Sequence, residues 1–332
     1  GGEHRRVRAH HRVRAAAVGA VALGGARTGP VAWEGSMNIL QAVVLGAVEG
    51  VTEFLPVSST GHLTITEKLL GLEIDDPAVT GFTAVIQIGA IAAVIIFFAK
   101  DFVRMIKGFV GGLTTPALRT GPDFRFAMAV GIGSLPVCVV GLLAKDVITG
   151  PLRNLWWTAG ALVVWSAVMV FAERVGPQQR KEGDIQIMDG LIIGLTQCLA
   201  LVPGVSRSGA TISAGLLRDF DRVTATRLSF FLGVPALTAA GIYELKDALS
   251  GEAVGVPALV VGTVVSFVVA YASIAWLLRF VAHHSMTWFV GYRVTLINLD
   301  GSVVEIPPSV TLERRVTLRG DMAGHRVIRI RS

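Results

Sequence analysis

The sequence predicts an all-α, polytopic membrane protein built as an inverted-topology repeat. Three observations carry that expectation. Hydrophobic residues make up 52% of the 332 residues and charged residues only 16%, with a mean hydropathy of +0.62; a soluble domain carries roughly 25% charged residues. Two polar segments echo each other at a fixed offset of 148 positions. The basic residues fall between alternate apolar runs, not along one face of the helices. That last distribution disfavours the competing class, a large soluble all-helical protein.

Taken in order, the apolar runs that approach the ~20 residues needed to cross a bilayer are Gly81–Ala99, Phe124–Val147, Leu155–Phe171, Ser229–Leu245 and Val256–Phe280. The stretches between them sort by charge. Lys100, Arg104, Lys107, Arg119 and Arg125 follow the first run, Arg174, Arg180 and Lys181 follow the third, and Arg218, Arg222 and Arg227 precede the fourth. Leu63–Thr80 instead holds Lys68 against Glu67, Glu73, Asp75 and Asp76, and Ser250–Gly255 holds no basic residue. Lys and Arg accumulate on the cytoplasmic side. The first polar segment is then approached from outside and the second from the cytoplasm. The three spans between them invert the second half relative to the first, a plan used by many transporters. Nucleic-acid binding is not needed to explain the net charge of +6. Cys138 and Cys198 lie in apolar segments with no metal-ligand spacing and read as packing residues.

The two ends read differently. Residues 1–36 are basic and then apolar, imitating a signal peptide, but are expected to be an upstream extension ahead of Met37. From about Thr295, the turn-like Asn298-Leu-Asp-Gly-Ser and the helix-breaking Val303-Val-Glu-Ile-Pro-Pro predict no sixth span. The residues after Phe280 are accordingly expected to stay cytoplasmic. The expected organisation is a membrane domain over 37–294, with repeats of about 37–175 and 185–294, and an atypical basic tail over 295–332.

Chemistry concentrates in the two polar segments. Glu49 and Glu53, four apart, share one face of a helix. Ionisable residues at membrane depth are costly and are functional by default. Two adjacent carboxylates can hold a divalent cation, or one can act as a base while the other stays protonated; a buried pair satisfied by backbone and hydroxyl groups is the structural alternative. Pro56 breaks the helix, and Ser58, Ser59, Thr60, Gly61 and His62 follow. Gly61 would let backbone approach a ligand, and a new helix starting here attracts anions. His62 lies three residues from Ser59, so nucleophile and base would share a face.

The second segment, Pro203-Gly-Val-Ser-Arg-Ser-Gly-Ala-Thr211, offers Arg207 where the first offers Ser59. A guanidinium matches phosphate bidentately. Ser206, Ser208, the Gly209 amide and Thr211 are candidate further donors. A pairing of Arg207 with Glu49 or Glu53 is the structural alternative and is compatible with an empty site. The 148 offset maps Gly46 to Gly194, Glu49 to Gln197, Val57 to Val205, Ser58 to Ser206, Ser59 to Arg207 and Phe82 to Phe230. A pseudo-two-fold axis would therefore set a nucleophile against a phosphate clamp near the midplane.

The segments Glu49-Gly-Val-Thr-Glu-Phe-Leu-Pro-Val-Ser-Ser-Thr-Gly-His62 and Pro203–Thr211 resemble the two signature motifs of the bacitracin-resistance family of undecaprenyl-diphosphate phosphatases. The resemblance runs from Met37 to about Val294. It implies an integral membrane hydrolase of the bacterial plasma (inner) membrane, active on a phosphoric anhydride. Such enzymes convert undecaprenyl diphosphate to the monophosphate and recycle the lipid carrier for peptidoglycan. It also implies two re-entrant helix pairs, a site opening to the outer, periplasmic face, and a divalent cation (Mg or Ca) as cofactor, with no organic cofactor. By motif position it assigns function to Glu49, Glu53, Ser59, His62 and Arg207. The family has a final apolar span that the stretch after about Thr295 lacks.

The resulting expectation makes Ser59 the nucleophile, His62 its base, and Arg207 the clamp on the phosphoryl oxygens. Glu53 would orient His62 or hold the cation, with Glu49 in support. A rival assignment makes His62 the nucleophile. Ser58, Thr60, Gly61, Ser206, Ser208, Gly209 and Thr211 are the expected substrate contacts. The expected partners are undecaprenyl diphosphate and the lipid bilayer, with a homodimer left open. The competing function class is a polyprenyl-phosphate flippase or small-anion transporter on the same repeat. The density of phosphoryl-transfer groups favours the enzyme over it.

Overall fold

A computed structural model describes residues 37–74, 76–144, 155–250 and 255–304. The basic extension over residues 1–36, Asp75 and the tail from residue 305 lie outside the described residues. Among the described residues the chain is helical, and five helices are long and apolar enough to cross a membrane. The protein is a multi-pass, all-α membrane protein.

α1 (Ile39–Thr52) begins at a reciprocal cap, with the Asn38 side chain accepting from the Gln41 amide and the Gln41 side chain accepting from the Asn38 amide. After the break at Pro56 comes α2 (Ser59–Leu69). α3 (Pro77–Phe97), α4 (Ala99–Thr114), α5 (Pro122–Leu143) and α6 (Leu155–Val175) complete the first half. The second half holds α7 (Ile187–Gln197), α8 (Arg207–Leu217), α9 (Arg222–Ser250), α10 (Val256–His283) and α11 (Thr287–Val304).

The spanning helices start earlier than the apolar runs in three cases. Pro77 and Pro122 occupy the first helical turn of α3 and α5, where a missing N–H costs nothing. α9 begins at Arg222, seven residues before the apolar run. Hydropathy locates the part of a helix in lipid, and these helices extend beyond it into charged surroundings. α4 was read as part of a polar linker. It is an amphipathic helix that follows α3 after Phe98 alone and exposes Val103, Ile106, Phe109, Val110 and Leu113.

Several positions 148 apart share backbone features. α2 and α8 have the same length and begin at equivalent positions, Ser59 and Arg207. The residues before them, Ser58 and Ser206, share φ = 74°. α1 packs on α10, and its counterpart α7 packs on α5. Both crossings run backbone to backbone on glycine. A Cβ on Gly46 would collide with the Gly262 carbonyl, and one on Gly194 with the Gly133 carbonyl. Small residues at such crossings are how helices associate closely in lipid, where apolar side chains gain little by leaving the tails. Phe82 and Phe230, equivalent in the offset, are both buried.

The largest departure from expectation is α11. The Asn298–Ser302 segment, read as a turn, continues the helix, which ends at Val304, next to the Pro-containing stretch. α11 packs against α6 and carries Arg293 into the interior, with no exposed surface. Among the described residues, Thr287–Val304 thus packs into the protein as a helix that the sequence reading did not expect. Hydropathy missed the helix because Arg293 lowers its score, whereas the fold surrounds that charge with carbonyls.

Candidate active site

Both polar breaks turn on strained serines. A positive φ is unfavourable for a residue with a Cβ and costs on the order of 1–3 kcal/mol. At Ser58 and Ser206 it reverses the chain so that α2 and α8 start beside each other. The Ser206 side chain caps α8 by accepting from the Gly209 amide at 3.2 Å.

Ser59 Oγ donates to Glu53 Oε2 at 2.7 Å. Arg207 Nη2 lies 3.3 Å from Glu53 Oε1 and 3.3 Å from the Glu53 carbonyl. Glu53 thus bridges the candidate nucleophile and the candidate clamp. Arg207 Nη1 donates to the Ser229 carbonyl at 3.0 Å, while its Nε–H is buried without a partner. Gly233 makes room for this side chain, since a Cβ there would stand 2.7 Å from Arg207 Cζ. The pairing of Arg207 with Glu53 that the sequence left open is realised.

These groups line a cavity of about 460 Å³. Ser58, Thr60, Gln87, Gln197 and Ser206 join them on its polar side. Val137, Leu142, Leu201, Leu237 and Ala240 form apolar wall, from α5, α9 and the turn after α7. The cavity is therefore polar at the meeting of the two breaks and apolar toward the spans.

Glu49 lies one turn behind Glu53 and is fully enclosed. Neither of its carboxylate oxygens has a hydrogen-bond partner. The polar groups that act on it are Glu53, Arg207 and Gln87. Its counterpart in the offset, Gln197, is likewise buried with both amide atoms unpartnered.

Four expected substrate contacts do not line this cavity. Ser208 Oγ donates to the Leu55 carbonyl at 2.9 Å, so it ties the two breaks together. The Gly209 amide is taken by Ser206. Thr211 Oγ1 sits 2.6 Å from Ser229 Oγ in a fully buried position. Gly61 lies inside the first turn of α2. Ser208, the Gly209 amide and Thr211 are each committed to a partner within the protein, and Gly61 has no side chain to offer.

His62 has a partner at each ring nitrogen. Its Nδ1 lies 2.7 Å from the Ser58 carbonyl, and its Nε2 lies 2.7 Å from Tyr292 Oη. A carbonyl only accepts, so Nδ1 carries a proton; in the neutral ring Nε2 then accepts from Tyr292. The rings stack with centroids 5.5 Å apart. Ser59 turns to Glu53 instead. Spacing on one helix established nearness but not direction, because Ser59 opens α2 and points out of it.

Sequence reasoning missed Tyr292 and Arg293. The Arg293 guanidinium is fully buried and reaches the Pro56 carbonyl at 3.1 Å and the Gly204 carbonyl at 3.0 Å. These two positions are equivalent in the 148 offset. Longer contacts run to the carbonyls of Val205 and Leu162, and Ser166 Oγ accepts from Nε at 3.0 Å. Arg293 is a cross-brace between the two breaks. Its signal was present as a lone cation in the apolar run Phe289-Val-Gly-Tyr-Arg-Val.

Comparison with known proteins bears directly on this site. The family described as "Bacitracin resistance protein BacA" matches residues 42–298, which include both breaks and most of α11. The chain belongs to this family. Among its relatives, undecaprenyl-diphosphatase 3 of Frankia casuarinae is 56% identical over 262 residues, covering 78% of this chain and 94% of the relative. Undecaprenyl-diphosphatase 1 of Streptomyces coelicolor is 58% identical over 262 residues, covering 79% and 94%. The undecaprenyl-diphosphatase of Mycolicibacterium smegmatis is 50% identical over 264 residues, covering 78% and 94%.

Proposed function

We propose that the protein hydrolyses undecaprenyl diphosphate to undecaprenyl phosphate and inorganic phosphate, regenerating the lipid carrier used in peptidoglycan synthesis. The observation that carries this reading is the Ser59–Glu53–Arg207 relay at the polar end of an apolar-walled cavity. The diphosphate meets the relay, and the isoprenoid chain leaves along the wall formed by α5 and α9.

Ser59 Oγ attacks the terminal phosphorus. Its proton passes to Glu53, already its hydrogen-bond acceptor, so Glu53 takes the base role first assigned to His62. The bond from phosphorus to the bridging oxygen breaks, and undecaprenyl phosphate departs with the electron pair and takes the proton from Glu53, which is a carboxylate again. Water then attacks the phosphoseryl group, giving a proton to Glu53; the Ser59–phosphorus bond breaks, Glu53 passes that proton to Ser59 and phosphate leaves. Arg207 stabilises charge on the phosphoryl oxygens. Its unpartnered Nε–H is the donor that phosphate would satisfy. A diphosphate entering here would also displace the guanidinium from Glu53, freeing the carboxylate to act as base.

Among the described residues no three His, Cys, Asp or Glu side chains form a metal cage. The two orphaned oxygens of Glu49, beside Glu53, nevertheless fit a divalent cation whose shell the substrate completes, as Mg²⁺ sites commonly do. When bound, such an ion would neutralise diphosphate charge.

The charge map supports a bacterial plasma-membrane topology in which α1–α2 and α7–α8 are re-entrant pairs entering from opposite faces. In this arrangement the cavity opens to the outer leaflet. The test is phosphate release from a polyprenyl diphosphate by purified protein in detergent, with mass spectrometry after quenching in neutral denaturant, which preserves both phosphoserine and phosphohistidine, to find the phosphorylated residue. Parent turnover with Ser59→Ala inactive supports the mechanism. Covalent phosphate on His62 in the Ser59→Ala protein would transfer the nucleophile role to histidine.

A further inference from the structure

Away from the active site, a second cavity of about 630 Å³ lies between the start of α5 and the start of α7. Its polar end is made by Arg119, Thr120, Arg125 and Gln186, and its apolar side by Ile132, Met188 and Leu191.

The arginines here differ from their neighbours. Arg104, Arg180, Arg218, Arg222 and Arg227 each hold a carboxylate: Asp101 or Glu182, Asp189, Asp189, Glu173, and Asp101 with Glu182 respectively. Arg119 and Arg125 hold none among the described residues. Arg119 is exposed and gives its Nε–H to the Gly112 carbonyl at 2.9 Å. Arg125 reaches only neutral acceptors, Gln186 Oε1 and the Gly183 carbonyl, both at 3.3 Å, and its Nε–H is enclosed without a partner. Two cations without counter-charge among the described residues converge on one cavity, whereas the five arginines named above are each paired with a carboxylate.

The other wall of the argument is apolar. Met188 is 57% exposed, and α4, which packs on α5 and whose Gly112 seats the Phe124 ring, turns Val103, Ile106, Phe109, Val110 and Leu113 outward. An amphipathic helix joined to a spanning helix by one residue lies in the membrane interface. A cavity beside it, with cations at one end and aliphatic side chains along the other, matches a lipid in both halves. Free phosphate would use the cations but leave the apolar side wet.

We propose that this cavity binds an anionic phospholipid of the bordering leaflet, which is cytoplasmic under the topology given above. Arg119 and Arg125 hold the headgroup phosphate, and an acyl chain covers Ile132, Met188 and Leu191. The lipid links α5 to the turn that starts α7, and this site is independent of the hydrolytic reading.

Native mass spectrometry of the purified full chain, titrated with phosphatidylglycerol or phosphatidylcholine in detergent, tests this. The parent should retain phosphatidylglycerol in preference. A cation near an anionic lipid contributes roughly a fivefold change in binding. Arg119→Gln should therefore lose about fivefold, and Arg119→Gln with Arg125→Gln about 25-fold, with a smaller loss for phosphatidylcholine, whose choline offsets its phosphate charge. Arg119 is exposed, so the single variant tests the site even if the double variant misfolds. Equal phosphatidylglycerol retention in the parent and in Arg119→Gln would overturn the proposal. Displacement of the lipid by excess inorganic phosphate would also overturn it, in favour of a free-phosphate site.

Discussion

Replacing Arg293 with Met should loosen the protein and disable it together. The substitution keeps an unbranched side chain of similar reach but deletes the guanidinium. Ser166 Oγ would keep its bond to the Leu162 carbonyl at 2.7 Å, so the loss falls on the carbonyls of Pro56 and Gly204. A buried acceptor left unpaired costs about 1–3 kcal/mol, so the two together cost roughly 2–6 kcal/mol. Relief from burying a cation offsets part of that, leaving a net loss on the order of 3 kcal/mol. With about 2.1 cal/mol/K of unfolding entropy per residue, a chain of 332 residues then loses roughly 4 °C in its thermal midpoint. The two carbonyls belong to opposite breaks, so their release also lets Ser59 drift from Arg207. A misplacement of about 1 Å can cost ~10²-fold in rate. Arg293→Lys, with three donors on one nitrogen, should fall between parent and Met. The assays are thermal unfolding in detergent and phosphate release at saturating substrate. A Met variant with the parent midpoint and parent turnover would refute the cross-brace.

Other expectations follow from single contacts. Arg207→Lys should keep the fold and lose ~10²–10³ in turnover, because a positioned transition-state donor is gone; near-parental turnover would remove Arg207 from the clamp. Gly233→Ala should reproduce that loss by pushing Arg207 aside, and unchanged kinetics would mean the guanidinium has slack. Tyr292→Phe should lower the melting midpoint while leaving turnover within about tenfold, since His62 and Tyr292 brace α2 against α11; a loss as deep as that of Ser59→Ala would return His62 to the chemistry. Asp221 gives a pH test. Burial raises its pKa, but the Lys181 ammonium at 2.6 Å and the Thr224 amide at 2.7 Å more than offset this and hold it below the usual carboxylate value. A depressed carboxylate contributes stability above its unfolded pKa of about 4, and that contribution is lost as pH falls through the lower folded value. Asp221→Ala should cost about 1 kcal/mol at neutral pH, mainly as a lost helix cap. The gap to the parent should shrink below about pH 4, and a gap constant from pH 7 to 3 would contradict the assignment.

Much of the protein was legible one residue at a time. Apolar runs long enough to span a bilayer have few other uses, so the five spanning helices follow from composition. Pro56 and Pro203 precede runs of Ser, Thr and Gly and fall at breaks, whereas Pro136 and Pro235, in apolar surroundings, lie inside α5 and α9, and the same Val-Ser pair precedes Ser59 and Arg207. Buried carboxylates and a buried guanidinium at those breaks imply anion chemistry wherever the chain runs.

What the sequence alone determined is which groups sit at the breaks; what only the tertiary structure decided is which of them face one another. Ser59 could have turned to His62, three residues away, and instead meets Glu53 across the break, because it is the first residue of its helix and points out of it. Ser208 and Thr211 look like ligands in a list of hydroxyls, yet the helix start turns them toward Leu55 and Ser229. Arg293 lies 237 positions from Pro56 and 89 from Gly204. No local pattern pairs a lone cation with two distant carbonyls. That pairing depends on α11 packing against α6, which arises only when the whole bundle has closed.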